Sequence, residues 1–278
     1  MSKVWFITGT SKGFGRIWAE AALERGDRVV ATARNASTLD DLVDRHGDDV
    51  LALALDVTDK AAVDAAVARA HAHFGRLDVV VNNAGYGLFG FVEEVSETEA
   101  RAQLETNLFG ALWVTQAALP FLREQRSGHI IQVSSIGGVN AFPMVGLYHA
   151  SKWGLEGFSQ ALAQEVAGFG IKVTLVEPTG YLTDWSGPSA AHAEPLAAYD
   201  ETREQVMAAR RARLSVPGDP EATGPAILEL VDAEEPPLRL FLGRGTLDMI
   251  QAEYAKRIAE WERWDAVAVA AHGVTEPV

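Results

Sequence analysis

Tyr148 and Lys152 stand four residues apart, and of all the side chains in this sequence they are the pair best suited to moving a proton. On a helix that spacing puts them on one face, one turn from each other. A phenol ordinarily titrates near ~10, too high for easy proton exchange at neutral pH, and a neighbouring ammonium lowers that value by stabilising the phenolate. Two hydroxyls, Ser134 and Ser135, end the preceding apolar run and could hydrogen-bond a substrate oxygen. Phenol, ammonium and hydroxyl together make a proton donor for a carbonyl. The Tyr-x-x-x-Lys spacing alone arises by accident in about one chain in ten of this composition, so its meaning depends on what precedes it.

A second constellation lies near the start. Residues 8–15 read T-G-T-S-K-G-F-G, with Gly9, Gly13 and Gly15 joining an apolar run to a helix-length segment. Glycines let a backbone turn tightly and approach a pyrophosphate, whose charge sits at the N-terminus of the following helix. The spacing is not G-x-G-x-x-G, but the physics is the same. The next apolar run ends at Ala33-Arg34. In dinucleotide folds that position faces the adenosine ribose, where a carboxylate would accept from the 2′-hydroxyl and an arginine accommodates a 2′-phosphate. Arg34, with Lys12 inside the glycine loop able to reach the same phosphate, argues for NADP. A third run ends at Asp56-Val57, where a carboxylate can accept from the adenine amino group. Asp56 could instead cap the next helix, although Thr58 or Asp59 would serve equally. The fourth run ends in N-N-A-G, residues 82–85, whose amides and small side chains leave room for a cofactor and knit neighbouring strands.

These groups need a scaffold that brings strand ends together. Short apolar runs recur at 3–8, 28–33, 50–55, 77–82, 129–134, 172–176 and 238–242. Their continuous Val, Ile and Leu content, without strict alternation, is what strands covered on both faces show. Helix-length segments lie between them, for example 16–25, 60–74, 97–122 and 153–167. Strand alternating with helix seven times predicts one doubly wound α/β domain with a seven-stranded parallel sheet. The 278 residues, 48% of them hydrophobic, suffice for one large core.

Composition narrows the function classes. A net charge of −14 argues against a nucleic-acid surface or an anionic membrane. The absence of cysteine excludes disulfides and thiol chemistry, and the seven histidines form no metal-binding pattern. No apolar stretch approaches the ~20 residues of a membrane span, and no leader-like segment precedes the first strand. A cytoplasmic protein is the expectation.

Taken together, these motifs resemble the short-chain dehydrogenase/reductase family in its compact single-domain branch. The marks are T-G-T-S-K-G-F-G at 8–15, Asp56-Val57, N-N-A-G at 82–85, Asn107, Ser135 and Tyr148-x-x-x-Lys152, in the family's order. The thirteen-residue step from Ser135 to Tyr148 favours Ser135 over Ser134 as the catalytic serine. The resemblance covers roughly residues 3–184, with the 238–242 strand by position. It implies reversible hydride transfer between NADP(H) and an alcohol/carbonyl pair, with Tyr148 as general acid/base. Ser135 would polarise the carbonyl, Lys152 would lower the Tyr148 pKa and reach the nicotinamide ribose, and Asn107 would position a proton-supplying water. The implied cofactor contacts are Gly9, Ser11, Lys12, Gly13, Phe14, Gly15, Arg34, Asp56, Val57, Asn83, Ala84, Gly85, Tyr148, Lys152, Pro178, Gly180 and Thr183. One departure stands out: where the family has Pro-Gly after the sixth strand, this chain has Pro178-Thr179-Gly180. Rival readings on the same fold are a non-catalytic NADP-binding sensor or scaffold and an epimerase or dehydratase. The sensor typically lacks the Tyr or Lys, and the epimerase has a different glycine spacing.

The substrate side is apolar, with Phe89, Phe142, Met144 and Trp185 as candidate contacts, which suits a hydrophobic ketone, aldehyde or alcohol. Residues 184–220 are long enough for a mobile lid and include a helical stretch over 195–214. Arg210, Arg211 and Arg213 on that stretch could meet an anionic substrate, although a solvated helix face is the simpler reading. Residues 245–273 form a C-terminal helical extension with an apolar stripe of Leu247, Ile250, Tyr254, Ile258, Trp261 and Trp264. That face could close over the chain's own pocket or pack on another subunit, and the family resemblance implies a homodimer or homotetramer.

Overall fold

All seven apolar runs become strands of one sheet: β1 (Val4–Ile7), β2 (Arg28–Ala33), β3 (Val50–Ala54), β4 (Val79–Asn82), β6 (Gly128–Val133), β7 (Ile171–Pro178) and β9 (Arg239–Leu242). Their order is β3-β2-β1-β4-β6-β7-β9, and every pairing is parallel. The computed structural model describes residues 2–273 apart from 184, 186, 188, 214 and 215. The expected lid start at Asp184, the helix end at Leu214 and the Arg213 side chain therefore lie outside the described residues.

Side chains alternate across the sheet, as the pleat requires. Trp5 and Ile7 of β1 enter a core with Trp18 and Leu23 of α1 (Gly13–Glu24), Leu42 of α2 (Asp40–His46) and Ile227 of α8 (Thr223–Asp232). Val4 and Phe6 enter the opposite core, with Val67 of α3 (Lys60–Phe74) and Val114 of α5 (Gly110–Gln125). Leu162 of α6 (Gly146–Val166) joins them there. This two-sided burial is why the strands read as unbroken apolar runs. The architecture is Rossmann-type α/β, in a single domain.

The strand order reverses between β1 and β4, and in such sheets the ligand crevice lies at that reversal, beyond the carboxyl ends of the strands. The segment after β4 carries α4 (Glu97–Leu104), opened by a Ser96–Glu99 capping box. It runs through a π-helical turn at Glu105–Phe109 into α5. Two short strands lacked any apolar pattern in the sequence. They are β5 (Leu88–Phe89) and β8 (Ala191–His192), which pair in parallel and bring the chain after β7 back beside the loop after β4. Helix α7 (Asp200–Arg213) follows them.

The chain divides into two units, Met1–Gly243 and Arg244–Val278. The second contains α9 (Thr246–His272), which exposes Leu247, Tyr254, Ile258, Trp261 and Trp264. At ~1.5 Å per residue this helix is about 40 Å long. Among the described residues, no helix is long and apolar enough to cross a membrane.

Candidate active site

Helix α6 starts at Gly146, seven residues before the expected 153, so Tyr148 and Lys152 occupy its first two turns. Both are buried, at 5% and 6% exposure. Three consecutive residues at the end of β6 receive this face of the helix. The Val133 carbonyl accepts from Lys152 Nζ at 2.8 Å. Ser134 meets Glu156, one further turn along α6. Ser135 meets the Tyr148 phenol, and its Oγ also accepts from the Gly137 amide at 3.0 Å.

Burial dominates the electrostatics of the pair. It pushes Tyr148 up to about 12, with only the Ser135 hydroxyl pulling the other way. It pushes Lys152 down to about 8, opposed by the carboxyl of Glu156. The expectation of a phenol lowered by its lysine is thus corrected: burial sets the direction, and Lys152 Nζ lies 5.8 Å from the ring centroid. At neutral pH the site presents a protonated phenol beside an ammonium.

Asn107 lies in the π-helical turn, where an extra residue in the turn re-aims side chains. Its Oδ1 accepts from the Tyr86 amide at 3.0 Å, and its Nδ2 donates to the Tyr86 carbonyl at 2.9 Å and to Ser151 Oγ at 3.3 Å. A Cβ at Gly85 would lie 3.1 Å from Asn107 Oδ1 and 3.7 Å from Lys152 Nζ. The end of β4 therefore runs directly past both residues.

The glycine loop sits on the other side of the crevice. Asn83 Nδ2 donates to the carbonyls of Thr8 and Gly9 at 2.8 and 3.0 Å, and Thr8 Oγ1 accepts from the amides of Asn83 and Ala84. Gly15 has no room for a side chain, since a Cβ there would lie 2.4 Å from Asn83 Nδ2. Gly13 has a φ of +61° and open space where a Cβ would point. The Lys12 side chain does not cap α1, and a helix start of this kind is where an anion can be received. Phe14 stacks on Trp18 and is met edge-on by Tyr181, which closes the wall between the glycine loop and the segment after β7.

Asp56 is released from capping, because Asp59 caps α3 through the Ala62 amide. Its Oδ1 accepts from the Thr58 amide and hydroxyl, and its Oδ2 has no partner among the described residues. Val57 is buried against the helix carrying Asn107, where Gly110 leaves it room. Arg34, Ser11 and Lys12 are exposed, and Arg34 forms no ion pair among the described residues. A glycine cradle beside a helix start without an N-cap side chain fits a nicotinamide dinucleotide. Among the described residues there is no cluster of three metal-ligating side chains.

A short chain dehydrogenase family profile matches residues 3–194. The chain belongs to the short-chain dehydrogenase family. It is 43% identical over 280 residues to oxidoreductase BOA17 of Botryotinia fuckeliana, covering 97% of this chain and 99% of that one. It is 36% identical to a 3-ketodihydrosphingosine reductase of Bacteroides thetaiotaomicron, covering 91% of each. A crystal structure of a short-chain dehydrogenase from Streptomyces avermitilis superposes with a TM-score of 0.90 at 41% identity, covering 97% of this chain and 98% of that one. The chain is thus an oxidoreductase of a family that binds a nicotinamide cofactor and acts on small molecules.

In this chain the unusual Thr179 has a structural partner. Its amide and hydroxyl reach the Leu242 carbonyl at 3.0 and 3.3 Å. A Cβ at Gly243, whose φ is +115°, would lie 2.0 Å from Thr179 Oγ1. The extra bulk after Pro178 is therefore matched by a glycine after β9. Beyond it, the Gly180 carbonyl accepts from the Gly218 amide at 2.9 Å, and the Thr183 amide donates to the Tyr181 carbonyl at 2.8 Å.

Phe89, Phe142 and Trp185 gather with Val145 around Tyr148 in one apolar cluster. Trp185 meets the phenol edge-on at 4.8 Å between centroids and Phe89 at 5.4 Å. Met144 is not in that cluster. It holds a φ of +68°, rare for a non-glycine residue, and its carbonyl accepts from the Gly90 amide. Two residues that escaped the sequence reading shape this pocket. His149 accepts from the Phe142 amide through Nε2 and donates from Nδ1 to the Gly137 carbonyl, both at 2.8 Å, which pins the loop before α6. Glu94 is fully buried, pairs with Arg203 of α7 and accepts from the amides of Phe91 and Leu196. These contacts hold it near 2, well below the usual carboxylate range. Arg210 and Arg211 separate: Arg210 lies 4.6 Å over the Phe89 ring, and Arg211 faces solvent.

Proposed function

We propose that this protein is an NADP(H)-dependent reductase or dehydrogenase that interconverts a hydrophobic ketone or aldehyde with its alcohol. The observation that carries the reading is the convergence of Tyr148, Lys152 and Ser135 where β6 meets α6, with an apolar cluster packed on the phenol. When bound, the nicotinamide supplies or takes back the hydride. Tyr148 donates a proton to the developing alkoxide, and Ser135 hydrogen-bonds the same oxygen as charge grows there. Lys152, charged at neutral pH, stabilises the phenolate that is left. Asn107, which like Lys152 closes on Gly85, orients a water that returns the proton. Arg34 and Lys12 bind the 2′-phosphate, the glycines from Gly9 to Gly15 admit the pyrophosphate, and Asp56 accepts from the adenine. Pro178, Gly180 and Thr183 line the nicotinamide end.

Phe89, Phe142 and Trp185 receive the apolar body of the substrate, and residues 184–220 close over it. The resemblance to a 3-ketodihydrosphingosine reductase supports a long-chain or similarly apolar ketone. The exposed apolar stripe of α9 is the surface through which two or more copies associate. The test is loss of NADPH absorbance across ketones, aldehydes, steroids and quinones, with Tyr148→Phe as the control. That variant loses about 10²–10⁴-fold in kcat/KM while NADPH binding stays close to unchanged. Substantial turnover in Tyr148→Phe would sink the assignment.

A further inference from the structure

Behind the candidate proton pair lie two carboxyl groups that the mechanism above does not use. Glu156 follows Lys152 by one helical turn on α6, and Glu177 is the penultimate residue of β7, just before Pro178-Thr179. The Glu177 side chain is fully buried and that of Glu156 is 7% exposed. The two carboxyl groups meet each other, and Ser134 and the backbone at Gly138 close the space above them. A Cβ at Gly138 would lie 2.5 Å from Ser134 Oγ and 3.0 Å from Glu156 Oε1.

Arg239 of β9 donates to Glu156 Oε2 at 2.9 Å, lies 3.5 Å from Glu177 Oε1, and turns its remaining reach to Gln160. Lys152 faces Glu156 from the same helix, and the Ser134 hydroxyl faces it from the residue after β6. Among the described residues, Glu156 Oε1, both oxygens of Glu177 and the Ser134 hydroxyl oxygen have no hydrogen-bond partner of good geometry. Two ionised carboxylates have only acceptors to offer each other, and buried acceptors without donors are costly. One proton placed between them supplies the missing donor. Two carboxylates sharing a buried site hold such a proton far more tightly than an isolated one does.

We propose that Glu156 and Glu177 form a carboxyl–carboxylate pair holding one proton, and that Glu156 is a positioning residue that keeps the Lys152 ammonium charged. The second half of this rests on the reading of Tyr148 and Lys152 as the proton-delivery pair. Physically, Lys152 is buried against a single carbonyl acceptor, and nothing else near it carries a negative charge in the described structure. The remaining negative charge of the pair offsets the loss of hydration that would otherwise discharge the ammonium. Burial raises both carboxyls above their ordinary range, and for Glu177 the neighbouring Glu156 raises it further. The pair also ties the helix carrying Lys152 to the strand that leads into the cofactor loop.

The test has two arms. Infrared difference spectra of the full chain, recorded without substrate while pH is raised, read protonated carboxyl groups directly. The wild type is expected to show one such band at neutral pH that fades only in alkaline solution, and Glu177→Gln removes it. Absence of any protonated carboxyl band at neutral pH overturns the shared proton whether or not the protein proves to be a reductase. The second arm follows kcat/KM for carbonyl reduction against pH. Glu156→Gln moves the alkaline limb to lower pH by about half a unit to two units, and Glu156→Asp falls between it and the wild type. If Glu156→Gln does not fold, Glu156→Asp must still move the limb the same way. An unmoved limb in a folded variant overturns the positioning role, since a residue that only held the fold would lower the rate without shifting the profile.

Discussion

Tyr148 and Lys152 illustrate how burial and pairing compete at one site. Removing water disfavours the phenolate and the ammonium alike, so the phenol is pushed up to about 12 and the ammonium down to about 8. A depressed lysine is charged below its shifted value and neutral above it. The reductive kcat/KM is therefore expected to be flat around neutrality and to fall as pH rises through about 8. A pH–rate profile with no limb between neutrality and the ordinary lysine range would contradict this. The cofactor end has its own single-residue lever. Arg34 is exposed at the end of β2 without an ion pair among the described residues, so its charge is available to a 2′-phosphate. Arg34→Asp is expected to shift the ratio of kcat/KM for NADPH over NADH by about tenfold or more towards NADH. An unchanged ratio would make Arg34 a solvated surface charge.

The elements that carry these residues were legible in the sequence where burial imposes a pattern. β1, β4 and β6 lie between two helix layers and read as continuous apolar runs, and the glycine loop betrays itself because only glycine fits beside Asn83 and at the positive φ of Gly13. Strands β5 and β8 were not legible, since two residues carry no periodicity and their pairing joins segments about a hundred positions apart. The same distance hid Glu94, whose partner Arg203 sits on α7. Thr179 stood out as a departure from the family, but its reason lay at Gly243, on a different strand end. That pairing yields a reciprocal prediction. Gly243→Ala places a methyl against Thr179 Oγ1 at a φ of +115°, and is expected to destabilise the fold by about 1–3 kcal/mol and weaken NADPH binding. Adding Thr179→Gly relieves the steric part and leaves the backbone part, so the double variant is more stable than Gly243→Ala alone. Strict additivity in thermal or urea unfolding would show that the two positions are not coupled.

On the scale of the whole molecule, the chain carries a net charge of −14, which keeps copies apart through long-range repulsion, yet α9 presents an apolar face to solvent. Tyr254, Ile258 and Trp261 recur at steps of four and three, and Trp264 continues the series at a step of three. Trp261 and Trp264 are more than half exposed, at 62% and 58%. Single exposed apolar residues are ordinary on a protein surface, whereas a contiguous stripe of large ones along one helix marks a face that another surface covers. A second copy of the same helix is the partner of matching length and pattern, and closed pairing of identical faces is the commonest solution for soluble chains. The wild type is therefore expected to run as a dimer or tetramer by multi-angle light scattering. Ile258→Glu combined with Trp261→Glu puts like charges into that face and is expected to lower the mass to that of one chain. Because the sheet, the glycine loop and α6 all belong to the other unit, NADPH binding should survive the change. A wild-type protein that is already monomeric at micromolar concentration would remove the stripe as an association surface.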